Sequence, residues 1–107
     1  MTAATSSHRL GPLADIPVGE GRAYPVGGTQ VAVFRLRSGA VHAMAAVCPH
    51  AGGPLADGQL DESVVVCPLH LNAWDLAGGR STTGQPPVTV YEAEVDENGH
   101  VVVHLPA

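Results

Sequence analysis

An antiparallel, all-β fold is what this chain predicts, and three observations carry that expectation. Apolar runs of strand length recur at 31–36, 40–47, 88–95 and 101–105. Gly27-Gly28, Arg37-Ser38-Gly39 and Asn98-Gly99 separate or flank them, and each is a turn signal of hairpin length. No helix is obvious anywhere in the sequence.

Taken in order, residues 1–7 are small and polar and read as a disordered tip. From His8 to Ala23, Gly11, Pro12, Pro17, Gly19 and Gly21 are mixed with apolar residues, which favours a short edge strand followed by a loop. Arg22 to Val26, Val31 to Leu36 and Ala40 to Val47 read as three consecutive antiparallel strands, joined through Gly27-Gly28 and Arg37-Ser38-Gly39. Val64-Val65-Val66 is a short buried strand. Trp74-Asp75-Leu76 is strand-like as well, and Gly78-Gly79 closes a hairpin beyond it. Gly84-Gln85-Pro86-Pro87 is rigid and poor in backbone donors. The last hairpin, Val88 to Val95 and Val101 to Leu105, turns at Asn98-Gly99.

With 107 residues the chain is expected to be one domain, 1–107, with a modest core that a bound metal would stabilise substantially. Its formal net charge is −5, and its five basic residues, Arg9, Arg22, Arg35, Arg37 and Arg80, are scattered, which argues against a nucleic-acid partner. Residues 1–10 contain no apolar core of a signal peptide, and no run approaches a membrane span. A cytoplasmic location is therefore expected. Both cysteines then belong in a reducing compartment, where thiols bind metal in preference to forming disulfides.

Those cysteines lie in Cys48-Pro49-His50 and Cys67-Pro68-Leu69-His70, with sixteen residues between His50 and Cys67. Two thiolates and two imidazoles suit an iron–sulfur or a zinc centre. Zinc fingers usually group like ligands, two cysteines from one knuckle and two histidines from the other. Here each knuckle is mixed, which suits two metals lying between two loops. Mononuclear zinc, or a structural site without redox function, remains the alternative at this point.

The pattern Cys-x-His, a spacer, then Cys-x-x-His resembles the Rieske family. That resemblance implies a [2Fe-2S] cluster with Cys48 and Cys67 on the buried iron and His50 and His70 on the outer iron. It also implies the Rieske fold: an antiparallel β-sandwich or barrel base, rejoined by the last hairpin, with residues 48–81 as an inserted cluster-binding subdomain of two hairpin loops. Residues 84–87 would correspond to the family's loop over the cluster's third side, or else form a plain turn.

Charge explains the ligand set. Two ferric ions, two sulfides and two thiolates sum to zero when both imidazoles are neutral, so an electron enters more easily than with four thiolates. Potentials for such centres run from roughly −150 to +300 mV. Membrane respiratory relatives add a disulfide across the cluster and Ser and Tyr hydroxyls aimed at sulfur. This chain has Gly53 and Leu69 in the disulfide positions and Asn72 and Trp74 in the hydroxyl positions. Fewer hydrogen bonds to the cluster imply the lower part of the range. Leu71 also departs from the Gly that usually follows the last ligand.

Other candidates read as structural. His8, His42, His100 and His104 have no partner at ligand spacing, Trp74 suits a core wedge, and Glu92, Glu94, Asp96 and Glu97 suit a solvated strand face. Asp57, Asp61 and Glu62 are expected nearer the cluster, as a docking face for a redox partner. Leu55, Leu69 and Leu71 are expected to form an apolar collar around the exposed histidines.

No nucleophile with a base, paired catalytic carboxylates or phosphate loop is visible. A fully ligated cluster leaves no open metal position, so the chain is expected to carry single electrons and not to be catalytic alone. Ile16-Pro17-Val18-Gly19-Glu20-Gly21-Arg22 and Cys48-Pro-His-Ala-Gly-Gly-Pro-Leu-Ala-Asp-Gly resemble the small subunits of assimilatory NAD(P)H nitrite reductases. Those subunits accompany a large flavin and sirohaem subunit. The alternative within electron transfer is a Rieske ferredoxin serving a ring-hydroxylating oxygenase.

Overall fold

The computed structural model describes residues 5–46, 55–61, 63–67 and 72–106. Among the described residues, nine strands form two antiparallel sheets. The larger contains β1 (Thr5–Pro12), β2 (Glu20–Val26), β3 (Thr29–Arg35), β4 (Val41–Ala45), β8 (Val90–Val95) and β9 (His100–Pro106) in the order β1-β9-β8-β4-β3-β2. The smaller contains β5 (Gln59–Asp61), β6 (Val64–Val66) and β7 (Ala73–Asp75), entering the chain between β4 and β8. Among the described residues, helix is confined to single 3-10 turns at Leu13–Asp15 and Leu55–Asp57.

The middle of β3 shows why the sequence folds this way. Val31, Ala32, Val33 and Phe34 are all fully buried, although successive strand residues face opposite sides. Val31 and Val33 join Ile16, Val26, Ala43, Val101, Val103 and Leu105 in one core cluster. Ala32 and Phe34 join Met44, Leu55, Val65, Cys67, Trp74 and Leu76 in the other. A strand covered on both faces needs an unbroken apolar run, and β3 has one.

Turn chemistry fixes the register. Val26 pairs with Thr29 across Gly27 and Gly28, whose φ values of 54° and 83° are those of a two-residue turn favoured between right-twisted strands. Leu10 is the extra residue of a bulge, since Arg9 pairs with Val102 and Gly11 with Val101. The Arg35 guanidinium donates to the carbonyls of Leu13 and Ile16 at 3.4 and 3.0 Å, which holds the β1–β2 connection over the sheet.

Thr5 to Ser7 correct the reading of a disordered tip. They pair with Pro106, Leu105 and His104 in β1, where β9 supplies backbone partners and Ser7 Oγ lies 2.9 Å from His104 Nδ1. Small polar residues suit such an edge position. β5 is an addition that the sequence reading lacked. Three residues with one inward side chain, Leu60, carry little periodic signal. Among the described residues, no helix is long and apolar enough to cross a membrane.

The β8–β9 hairpin is organised by Asp96. Its carboxylate accepts the backbone N–H groups of Asn98 and His100 at 2.9 and 3.0 Å and two N–H groups of Arg9 at 3.1 and 2.9 Å. The His100 N–H first, with Arg9 and the Asn98 N–H after it, holds the Asp96 carboxyl below the usual carboxylate range against the opposing effect of desolvation. A carboxyl depressed in the folded state contributes stability above its unfolded pKa and loses it as pH falls through the folded value. Asp96→Asn should therefore be less stable than the parent to urea at neutral pH, with the difference closing below about pH 4. A difference that persists unchanged in acid would contradict this account.

Candidate metal centre

Two backbone hydrogen bonds frame the two loops that carry the sequence-predicted ligands. The Leu55 N–H donates to the Ala46 carbonyl at 2.8 Å, so the chain on either side of 47–54 is pinned together. The Cys67 N–H donates to the Asn72 carbonyl at 2.8 Å, which does the same on either side of 68–71. Ala46, Leu55 and Cys67 belong to one buried cluster with Phe34, Val65 and Trp74. The residues on either side of 47–54, and the one before 68–71, therefore sit in the same packed core. Of the sequence-predicted ligands, Cys67 is placed there; Cys48, His50 and His70 lie outside the described residues.

Cys67 directly follows β6 and is 1% exposed. A soft sulfur donor shielded from water among apolar side chains is what the inner metal of a two-loop centre requires. The β6 strand pairs on both sides, Val65 lying opposite Leu60 in β5 and Trp74 in β7. Cys67 is thus presented from the end of the small sheet's central strand.

Trp74 acts as the core wedge expected of it. It is fully buried, and its indole N–H donates to the Pro86 carbonyl at 2.9 Å. That bond straps the 84–87 segment onto β7 and commits the indole N–H away from any sulfur. Gly79 is where the strap turns: its φ is +75°, and a Cβ there would collide with the Val88 carbonyl. Its N–H donates to the Asp75 carbonyl, and its own carbonyl accepts the Val88 N–H, each at 2.8 Å.

Hydroxyl groups at Ser81 and Thr83 were not singled out in the sequence, yet they lie beside the second loop. Thr83 Oγ1 donates to Asn72 Oδ1 at 2.8 Å and accepts the Ala73 N–H at 3.3 Å. Ser81-Thr82-Thr83-Gly84 is the available signal, because clustered hydroxyl residues before glycine favour side-chain-to-backbone turns.

Two surface expectations are corrected. Leu55 is fully buried in the core cluster and so forms no part of an exposed collar, since the 3-10 turn after the first loop aims it inward; Leu69 and Leu71 lie outside the described residues. The acidic docking face divides. Asp57 is exposed in that 3-10 turn, close to the first loop. Asp61 pairs with Val64, at the end of β6 away from Cys67, about 10 Å along the strand. Glu62 lies outside the described residues. The remaining histidines make ordinary surface contacts: His8 Nε2 lies 3.0 Å from Ser6 Oγ, and His104 Nε2 lies 2.8 Å from Glu94 Oε1. His42 sits opposite Phe34 in the β3–β4 ladder, and His100 opposite Pro12.

An all-β base with a buried cysteine beside the second of two ligand-bearing segments suits a domain that holds a metal. The chain belongs to the Rieske [2Fe-2S] domain family, which matches residues 6–102. Its cofactor is a [2Fe-2S] cluster. Among curated relatives it is 31% identical to the anthranilate 1,2-dioxygenase ferredoxin subunit of Burkholderia cepacia, over 98% of this chain and 99% of that one. It is 34% identical over 66% of its length to the oxygenase component of 3-ketosteroid-9-alpha-monooxygenase from Rhodococcus rhodochrous, of which it spans only 19%. Its fold matches a chain assigned as the NADH-dependent nitrite reductase small subunit of Mycobacterium tuberculosis with a TM-score of 0.86. That match covers 100% of this chain and 99% of the other at 26% identity.

Trp74→Phe keeps most of the apolar burial and removes the bond to Pro86, leaving its carbonyl without that donor. A loss of about 1–3 kcal/mol in urea denaturation is expected. An unchanged denaturation midpoint would show that the strap does not depend on this bond.

Proposed function

We propose that this chain is the electron-carrying small subunit of an assimilatory NAD(P)H nitrite reductase. The observation that carries this reading is the likeness in fold to the Mycobacterium tuberculosis subunit, over 100% of this chain and 99% of that one. In this reading residues 1–107 are one domain that works in the cytoplasm and is not catalytic alone. Cys48 and Cys67 hold the inner iron, and His50 and His70 hold the outer one. The burial of Cys67 supports its inner place. When bound, the cluster accepts and gives one electron at a time. The protein supplies the fixed loop ends, the apolar wall around Cys67 and the exposed Asp57 carboxylate near the first loop.

A second reading has its own support. The 31% identity to the Burkholderia cepacia ferredoxin subunit, over 98% of this chain, favours a mobile carrier that delivers electrons to a ring-hydroxylating oxygenase. Binding strength separates the two, because a subunit stays with its enzyme while a mobile carrier must dissociate between electron transfers.

The test is to mix the cluster-loaded chain with a flavin- and sirohaem-containing large subunit and NAD(P)H. Co-elution in size-exclusion chromatography, with bleaching of the cluster's visible absorbance, is the expected result. Separate elution, with bleaching only by a flavin ferredoxin reductase, would overturn the subunit proposal in favour of the mobile carrier. No bleaching by either would contradict both.

A further inference from the structure

Beside the second ligand loop runs a chain of three side chains that the ligand set does not use. Thr83 Oγ1 lies 2.8 Å from Asn72 Oδ1 and 3.2 Å from Ser81 Oγ. Counting protons fixes the direction of each bond. An amide oxygen only accepts, so the single Thr83 hydroxyl proton goes to Asn72. Ser81 must then donate to Thr83. The Ser81 oxygen itself accepts the backbone N–H groups of Thr83 and Gln85, both at 3.1 Å. Each hydroxyl thus accepts as well as donates, an arrangement in which each bond polarises the next.

The chain ends on the residue that closes the loop. Asn72 accepts the Cys67 N–H on its backbone carbonyl and the Thr83 hydroxyl on its side chain. Thr83 also accepts the N–H of Ala73, and the Thr82 N–H donates to the Ala73 carbonyl at 3.0 Å. The C-terminal end of the loop is therefore held from both its main chain and its side chain by residues some ten positions later. Without the Thr83 hydroxyl, Asn72 keeps its bond to Cys67 and Ala73 its bond from Thr82, but the Asn72 side chain loses its donor and the Ala73 N–H its acceptor.

We propose that Thr83, acting through Asn72, is a positioning residue for the iron–sulfur centre: it latches the end of the second ligand loop and slows loss of the cluster. The proposal rests on the assignment of Cys67 and His70 as ligands. Cluster release requires the loop to open locally, and the latch bond opposes that opening without touching the iron. One neutral hydrogen bond changes such an opening roughly five- to tenfold.

The full-length, cluster-loaded chain is compared with Thr83→Val, which keeps the shape and removes the hydroxyl, and with Thr83→Ser, which restores it. Iron transfer to a coloured chelator is followed well below the melting transition, and the paramagnetic spectrum of the reduced state is recorded. Thr83→Val should release iron roughly five- to tenfold faster than the parent and broaden the spectrum. Thr83→Ser should behave as the parent does. Val103→Ala, in the other core cluster, serves as a control that lowers thermal stability and leaves iron release and line shape unchanged. Release from Thr83→Val at the parental rate, or acceleration by Val103→Ala to the same degree, would overturn the latch. A parent chain that holds no iron would overturn the ligand assignment itself, and the latch with it.

Discussion

Burial of Trp74 between the two sheets is the constraint on which the site depends. The small sheet has only three strands of three residues each, too little to stand alone. Trp74 gives it a large apolar surface that fits into the cluster made by Phe34, Met44 and Ala32 of the large sheet. Hiding an indole of this size contributes on the order of 4–6 kcal/mol. Because Ala46, Leu55 and Cys67 share that cluster, the packing that joins the sheets also brings the two ligand-bearing segments to one core.

Around this centre the chain uses short-range devices for long-range order. Glycines with positive φ set the hairpin turns, and the β8–β9 hairpin has in Asp96 a charged acceptor for its backbone. The second loop closes through the Cys67–Asn72 bond, and the 84–87 segment is tied down by the Trp74 indole.

Much of this was legible because strands and turns write themselves locally. β2, β3, β4 and the final hairpin follow from alternating or continuous apolar runs bounded by glycine turns. The failures were of another kind. Thr5–Ser7 have no apolar pattern and become a strand only because β9 offers an edge. Leu55 reads as a surface residue beside a ligand loop, yet a 3-10 turn directs it inward. Asp57 and Asp61 are neighbours in sequence, but β5 carries Asp61 toward the end of the small sheet away from Cys67. The Ser81–Thr83–Asn72 chain joins residues about ten positions apart through hydroxyls, which leave almost no mark on hydropathy.

The central claim is that two mixed Cys/His knuckles hold a two-iron cluster on this core. Electron paramagnetic resonance of the dithionite-reduced protein tests it most directly. The account predicts a signal with average g below 2 and a strong feature near about 1.9, as nitrogen ligation of one iron requires. Silence in a fully metallated sample would point to zinc in the same four-ligand site, and the electron-transfer account would fall.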